Sequence, residues 1–279
     1  MMEFQSDKKI VCGTSGYDYP EWRGVFYPEK LPRNEFLAYY AAHFPALEVN
    51  FTFYQMPTEE HFRSMMNRSG GKMLFAVKAP QTLTHNAGSG WNVDAALFRK
   101  ALLPLVNGGV LSAVLFQFPQ HFHYEVNNRI YLNNLLSNFP GYPSVVEFRH
   151  SSWFTERVYD GLNKREAGIV LCDMPRISAL PPLVPVVTGK RAYIRFHGRN
   201  AGSWYTQSAV NPGNTTDINS SSRYRYTYTE KELEEAVPLL ENLAVKAEIT
   251  HVFFNNHPDG AAAVNAGQMQ NLTSAGTYS

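Results

Sequence analysis

A glutamate and an arginine stand two residues apart in VVEFRHSSW, residues 145–153. Val145, Val146 and Phe148 are strand formers, and alternation along a strand puts Glu147 and Arg149 on one face with Val146 and Phe148 on the other. Charges at a buried strand end are costly unless they are paired or used. A carboxylate beside an arginine suits a ligand anchor or an acid–base group. The same signature recurs along the chain. ALEVN (46–50) carries Glu48 and Asn50 on one face, MLFAVKA (73–79) exits through Lys78, and VLSAVLFQF (110–118) has Gln117 near its end. GIVLCD (168–173) ends on Asp173, AYIRFH (192–197) puts Tyr193, Arg195 and His197 on one face, and ITHVFFN (249–255) ends on Asn255.

These residue types suggest specific roles. Lys78 suits a nucleophilic amine, a general base or a point charge for an anion, with a plain salt bridge as the alternative. His197 is the leading proton-transfer candidate and is expected to work with Glu147 as an acid–base pair. Arg149 and Arg195, with Lys78, are expected to hold an anionic or polyhydroxylated small molecule. Glu48, Asn50, Gln117, Asp173 and Asn255 complete the binding set, with His85 from the loop after the third strand. Tyr17, Trp22, Tyr54 and Trp153 are expected to wall the pocket. A divalent metal held by Glu48, Glu147, Asp173 and His197 is the lesser alternative; the cations at positions 78, 149 and 195 oppose it, and no cofactor is expected. The plain structural reading is a salt-bridge network that plugs the fold. Desolvating such pairs costs roughly several kcal/mol per ion and contributes little stability, which favours a site.

Other reactive residue types read more simply. Cys12 and Cys172 lie in apolar runs without metal-ligand spacing, as small buried residues do. His121, His123, His251 and His257 lack the spacing of known sites and read as surface or core histidines.

Positioning all these strand ends requires a repeated unit. Strand-like runs begin with KIVC (9–12), which enters the GTSG loop (13–16), a place where a backbone can approach a ligand. Helical patterns lie between them: one after Asn34, one capped by Thr58 and ended by Gly70 and Gly71, and others near residues 94–105 and 127–138. Ser151 or Ser152 is placed to cap a further helix. Thr229 with Glu232 forms a capping box for a helix that Pro238 is expected to kink or split, and a small-residue helix spans 260–272. Strand and helix alternating about eight times, with no change of composition between halves, predict a single (β/α)8 TIM-barrel domain over residues 1–279. A barrel uses the C-terminal ends of all its strands, whereas a doubly wound sheet concentrates its site at one switch point. Residues 1–8 are expected to form an N-terminal tail, and 198–228 a long polar loop of lid-like character.

A net charge of +1, with 18% charged residues, gives no strong footprint for nucleic acid or an anionic membrane, and 44% hydrophobic residues suffice for a large core. No run is long enough to cross a bilayer and no leader is evident, so a cytoplasmic location is expected. Oligomeric state is left open.

Several segments together resemble the YecE-like family, or domain of unknown function 72: GTSGYDYPEWRGVFYPEKLP (13–32), EVNFTFYQMP (48–57), FAVKAPQTLTH (75–85), VEFRHSSW (146–153), YIRFHGR (193–199) and VFFNNHPDGAAAVNA (252–266). The resemblance runs in order through nearly the whole chain. It implies a TIM barrel and leaves the biochemical function open. Carried over by position, its motif residues are Gly13, Ser15, Gly16, Trp22, Glu48, Asn50, Tyr54, Lys78, His85, Gln117, Glu147, Arg149, Trp153, Asp173, Arg195, His197, Gly198, Asn255 and Asn256. The chain departs at Phe51 and at residues 211–222, which look like an insertion. Beside an enzyme, two other functions are consistent with the residues. One is nucleic-acid processing, by fold analogy and the basic-aromatic RYRY patch at 223–226; the other is a non-catalytic ligand binder.

Overall fold

The computed structural model describes residues 10–203 and 224–275. The tail at 1–8, Trp204, Tyr205, Arg223 and the insertion at 211–222 lie outside the described residues. The strands are β1 (Ile10–Ser15), β2 (Ala46–Val49), β3 (Leu74–Lys78), β4 (Leu111–Gln117), β5 (Ser144–Glu147), β6 (Gly168–Asp173), β7 (Arg191–Phe196) and β8 (Ile249–Phe254). Each pairs in parallel with the next, and β1 closes on β8. The helices are α1 (Phe36–His43), α2 (Glu59–Arg68), α3 (Trp91–Asn107), α4 (Val126–Ser137), α5 (Glu156–Asn163), α6 (Glu230–Lys246) and α7 (Ala261–Ala275). This is the expected TIM barrel. No described helix is long and apolar enough to cross a membrane.

One crossover lacks its helix. Residues 174–190 join β6 to β7 without one, and Pro175, Pro181, Pro182 and Pro185 explain why: each removes a backbone donor and constrains the residue before it. Thr188 fastens this segment by accepting from the Ile169 N–H at 2.7 Å and donating to the Ala167 carbonyl at 2.8 Å.

Strand alternation divides the core in two. Side chains of one phase, such as Phe75, Val77, Val146, Phe148 and Phe196, pack under the helices. The other phase, including Val11, Ala46, Ala76, Ala113, Leu115, Val145, Val170, Tyr193 and Phe253, fills the barrel interior. That interior is an apolar floor beneath the C-terminal ends of the strands.

Helix ends follow local chemistry, with exceptions. Thr229 and Glu232 form the expected capping box, and Thr58 forms one with His61. Pro238 does not split α6 into two elements, since the helix runs continuously from Glu230 to Lys246. A 3-10 turn at Arg33–Glu35 precedes α1, so Asn34 is not its side-chain cap. Ser151 and Ser152 lie in a 3-10 turn, and Thr155 occupies the N-terminal boundary of α5.

Gly13 belongs to β1 rather than to a ligand-facing loop. A Cβ there would lie 2.1 Å from the Ala46 carbonyl oxygen on β2. The close approach of two strands, not a ligand, demands glycine. Gly13→Ala is therefore expected to lower stability by about 1–3 kcal/mol through overpacking. Urea unfolding measures this, and an unchanged midpoint would contradict the reading.

Candidate active site

The interior phase of each strand delivers at least one polar side chain or thiol to the mouth. Ser15 pairs in register with Glu48, Gln117 with Glu147, and Cys172 with Arg195. Lys78 lies two residues beyond Ala76, and Asn255 two beyond Phe253, so both continue the interior rows. Arg149, just past β5, and His197, just past β7, follow the same alternation.

Arg195 ties the mouth together. Its Nε donates to Glu48 Oε2 at 2.9 Å and its Nη2 to Glu48 Oε1 at 2.7 Å, a bidentate pair. Its Nη1 donates to Glu147 Oε2 at 2.6 Å, and Nη2 reaches Ser15 Oγ at 3.4 Å. Tyr193 donates its hydroxyl to Glu48 Oε2 at 2.7 Å. Arg149 Nε donates to Glu147 Oε1. Both glutamates and Arg195 are essentially excluded from solvent. Burial raises the Glu147 carboxyl, but the charges of Arg149 and Arg195 outweigh it and hold the group well below the ordinary carboxylate range. Glu147 is thus a fixed anion.

Lys78 differs from the arginines. It is half-buried, its Nζ sits 4.0 Å from the centre of the Phe53 ring, and among the described residues it makes no ion pair with either glutamate. Burial lowers its ammonium pKa, the Arg195 charge adds to the effect, and the glutamates only partly oppose it, leaving about 7. His85 completes this side. Its Nε2 is 3.5 Å from Gln117 Nε2, its Nδ1 is 3.0 Å from Thr84 Oγ1, and its ring meets Phe53 edge-on at 4.9 Å. Burial and the neighbouring Lys78 charge depress His85 to about 4.

His197 is fully buried, with Nδ1 3.0 Å from Asn255 Nδ2. An amide nitrogen there donates to Nδ1 and leaves the imidazole proton on Nε2. Nε2 faces Glu147 Oε1 at 3.6 Å without a good hydrogen bond. Burial and then the two arginines push His197 down to about 3, so the imidazole is neutral at ordinary pH. Glu147, Cys172 and His197 place one donor atom each within 4.8 Å of one another, whereas Asp173 is not among them. Burial pushes the Cys172 thiol well up, and each Glu147 oxygen already serves an arginine. The donor set therefore suits a metal cation poorly.

The structure brings together most of the residues expected from sequence: Glu48, Lys78, His85, Gln117, Glu147, Arg149, Arg195, His197 and Asn255. Asn50 follows β2, with its Oδ1 buried and unpaired among the described residues. Five others lie elsewhere. Asp173 has the phase of Phe196, its register partner, which packs under the helices; it binds Arg199 at 2.7 and 2.9 Å and the Tyr228 hydroxyl at 2.7 Å. Trp22 is buried against Tyr19 and Tyr27 and donates to the His257 carbonyl. Trp153 stacks on Phe122 and Phe148 in the outer core. Tyr17 packs beside Tyr40; burial raises its phenol, and the nearby Arg68 charge partly offsets that. Tyr54 is 78% exposed, edge-on to Phe53.

Other aromatics line the mouth instead. Phe53 lies under Lys78. Tyr19 stacks on His257 at 4.8 Å, and the Tyr224 ring is 6.0 Å from His197. Cys172 also reaches the mouth, as its register pairing with Arg195 shows, and no two-residue count within the sequence picks it over Asp173. From Cys172 a cleft of about 900 Å³ opens along Met174, Ile177 and Leu180 toward Arg199. The described part of the basic-aromatic patch is partly neutralised, because Arg225 pairs with Asp259.

Comparison with known proteins gives a consistent result. A family model described as "Protein of unknown function DUF72" matches residues 11–277. The UPF0759 protein YunF of Bacillus subtilis is 30% identical over 257 residues, covering 88% of this chain and 89% of that protein. The crystal structure of a DUF72 family protein from Thermotoga maritima superposes with a TM-score of 0.84 at 34% identity, covering 96% of this chain and all of that one. A DUF72 family protein from Enterococcus faecalis, 24% identical, shares the fold with a TM-score of 0.82 over 95% of each chain.

The ion network makes Glu147 structural as well as chemical. Glu147→Gln removes the countercharge of two buried arginines, and a loss of roughly 3–5 kcal/mol is expected. Thermal and urea unfolding measure it; a variant as stable as the wild type would contradict the network.

Proposed function

The chain belongs to the DUF72 family, and from that premise we propose that the barrel mouth is the active site of an enzyme acting on an anionic or polyhydroxylated small molecule by acid–base chemistry. The observation that carries this reading is the unpaired Lys78. Two carboxylates, Glu48 and Glu147, are consumed by Arg195 and Arg149, while the Lys78 amine has no acid partner among the described residues. The Nη groups of Arg149 likewise make no hydrogen bond among them. A network built only for stability would place the lysine on a carboxylate; here two cationic donors remain for a ligand.

In this reading Arg149 anchors an anionic group, and Lys78, poised near neutrality, exchanges the proton. Glu147 holds Arg149 and Arg195 in position, and neutral His197 donates its Nε2 proton. Lys78 thereby takes the acid–base work expected of the Glu147 and His197 pair, because Glu147 stays ionised and His197 stays neutral across the working range. The pH dependence has a definite sign. Turnover rises through about pH 7 as Lys78 loses its proton, while its help in binding an anion declines over the same range.

Isothermal titration with inorganic phosphate and a panel of small carboxylates tests the binding half. At least one anion is expected to bind, and Arg149→Met, checked for folding, is expected to weaken it about tenfold, or roughly 1.4 kcal/mol. Failure of every anion to bind, or binding indifferent to Arg149→Met, would overturn the reading. Incubation with cell metabolites tests turnover: captured compounds recovered unaltered would assign a binder rather than an enzyme.

A further inference from the structure

The placement of Lys78 says more than that a positive charge is present. Its side chain rises from the end of β3 over an apolar floor that includes Ala76, Ala113 and Leu115, with the Phe53 ring against its amine. These surroundings limit water at the ammonium, and among the described residues no carboxylate pairs with it, which favours the neutral amine. Arg149 stands two strands further round. Lys78 is in register, through Leu115 on β4, with Val145, so Arg149 sits four residues further along the chain at the mouth, and its charge is one of those that bear on the Lys78 amine. Between them on β4 is Gln117, beside the neutral imidazole of His85.

On the reading of the mouth as an active site, we propose that Lys78 is a nucleophile that forms an imine with the carbonyl carbon of a small oxo acid whose carboxylate is held by Arg149. The Nζ lone pair attacks the carbonyl carbon, forming the C–N bond as the C=O π bond breaks and its oxygen takes a proton. Nitrogen loses a proton to give the neutral carbinolamine. The C–O bond then breaks as a protonated hydroxyl leaves as water, the nitrogen lone pair closes the C=N bond as an iminium, and loss of the remaining N–H proton, which offsets the one taken up by the hydroxyl, gives the imine. Amine plus carbonyl gives imine plus water, with no change of oxidation state and no further reagent. His85, near Lys78 and unprotonated at rest, is placed to carry the proton between nitrogen and the departing oxygen. The arginines stabilise the anionic end of the substrate throughout. The amine's pKa of about 7 supports this geometry, since half of it is unprotonated near neutral pH.

Glyoxylate with sodium cyanoborohydride is a direct probe, because it joins a carboxylate to a carbonyl and the reductant fixes any imine. The full chain is incubated at pH 7 and its peptides are mapped by mass spectrometry. One reduced adduct is expected on Lys78, forming at least tenfold faster than on the other lysines and faster still as pH rises through 7. Arg149→Met is expected to slow it, and Lys78→Arg to take none while still binding phosphate or the panel carboxylates. Adducts spread over the other lysines, with Lys78 unmodified or no faster, would overturn the nucleophile. If anions nevertheless bind with the Arg149 dependence described above, the active-site reading stands without covalent chemistry; loss of both anion binding and adduct removes both.

Discussion

A single guanidinium spans the barrel. Arg195 leaves β7 and grips Glu48 on β2 with two nitrogens and Glu147 on β5 with a third, all essentially out of water. Burying these charges is unfavourable unless nearly every donor and acceptor is satisfied. Tyr193 and Ser15 supply further partners for Glu48 and Arg195, and Arg149 supplies one for Glu147. The barrel has to hold β2, β5 and β7 at a fixed separation for this to work. The apolar floor below sets that separation and keeps the local dielectric low.

The chemistry follows from what this network uses up. Glu48 and Glu147 are engaged by the arginines, which holds Glu147 as an anion and leaves Lys78 without a paired carboxylate among the described residues. Positive neighbours and burial then act in the same direction on every basic group left over: Lys78 falls to about 7, His85 to about 4 and His197 to about 3. The mouth therefore holds one amine that titrates near neutrality, two neutral imidazoles, and an arginine with donors to spare. That combination favours an anionic ligand over a metal cation, since a cation would share the space with Arg149, Arg195 and Lys78. Away from the mouth, Asp173 serves a different purpose: it fastens Arg199 and Tyr228 to the end of β6, joining the segment that leaves β7 to the one that enters α6.

Much of this was legible in the sequence because it depends on period. Polar residues at the ends of apolar runs marked the strands, and the repeat of strand and helix marked the barrel. Alternation then put Glu147 with Arg149, and Arg195 with His197, on common faces. What alternation within one run does not reveal is which face turns inward. In GIVLCD the charged residue is the terminal acid, yet Cys172 carries the interior phase. The aromatic walls were illegible for a related reason. Trp22 and Trp153 sit in irregular segments whose direction is decided by packing in the outer layer, while Phe53, Tyr19 and Tyr224 reach the mouth through turns with no period. Pro238 shows the converse: the expected break did not occur, and the 17-residue α6 continues past it.

The central claim is that the arginines engage the mouth's carboxylates and leave Lys78, unpaired among the described residues, as an amine near neutrality. Titrating the Lys78 side chain by carbon NMR, with 13C-labelled lysine and Lys78→Arg to assign its signal, tests this without knowledge of any substrate. The account predicts a midpoint near 7. A midpoint in the ordinary lysine range, near 10.4, would mean that Lys78 is solvated or paired, and would contradict it.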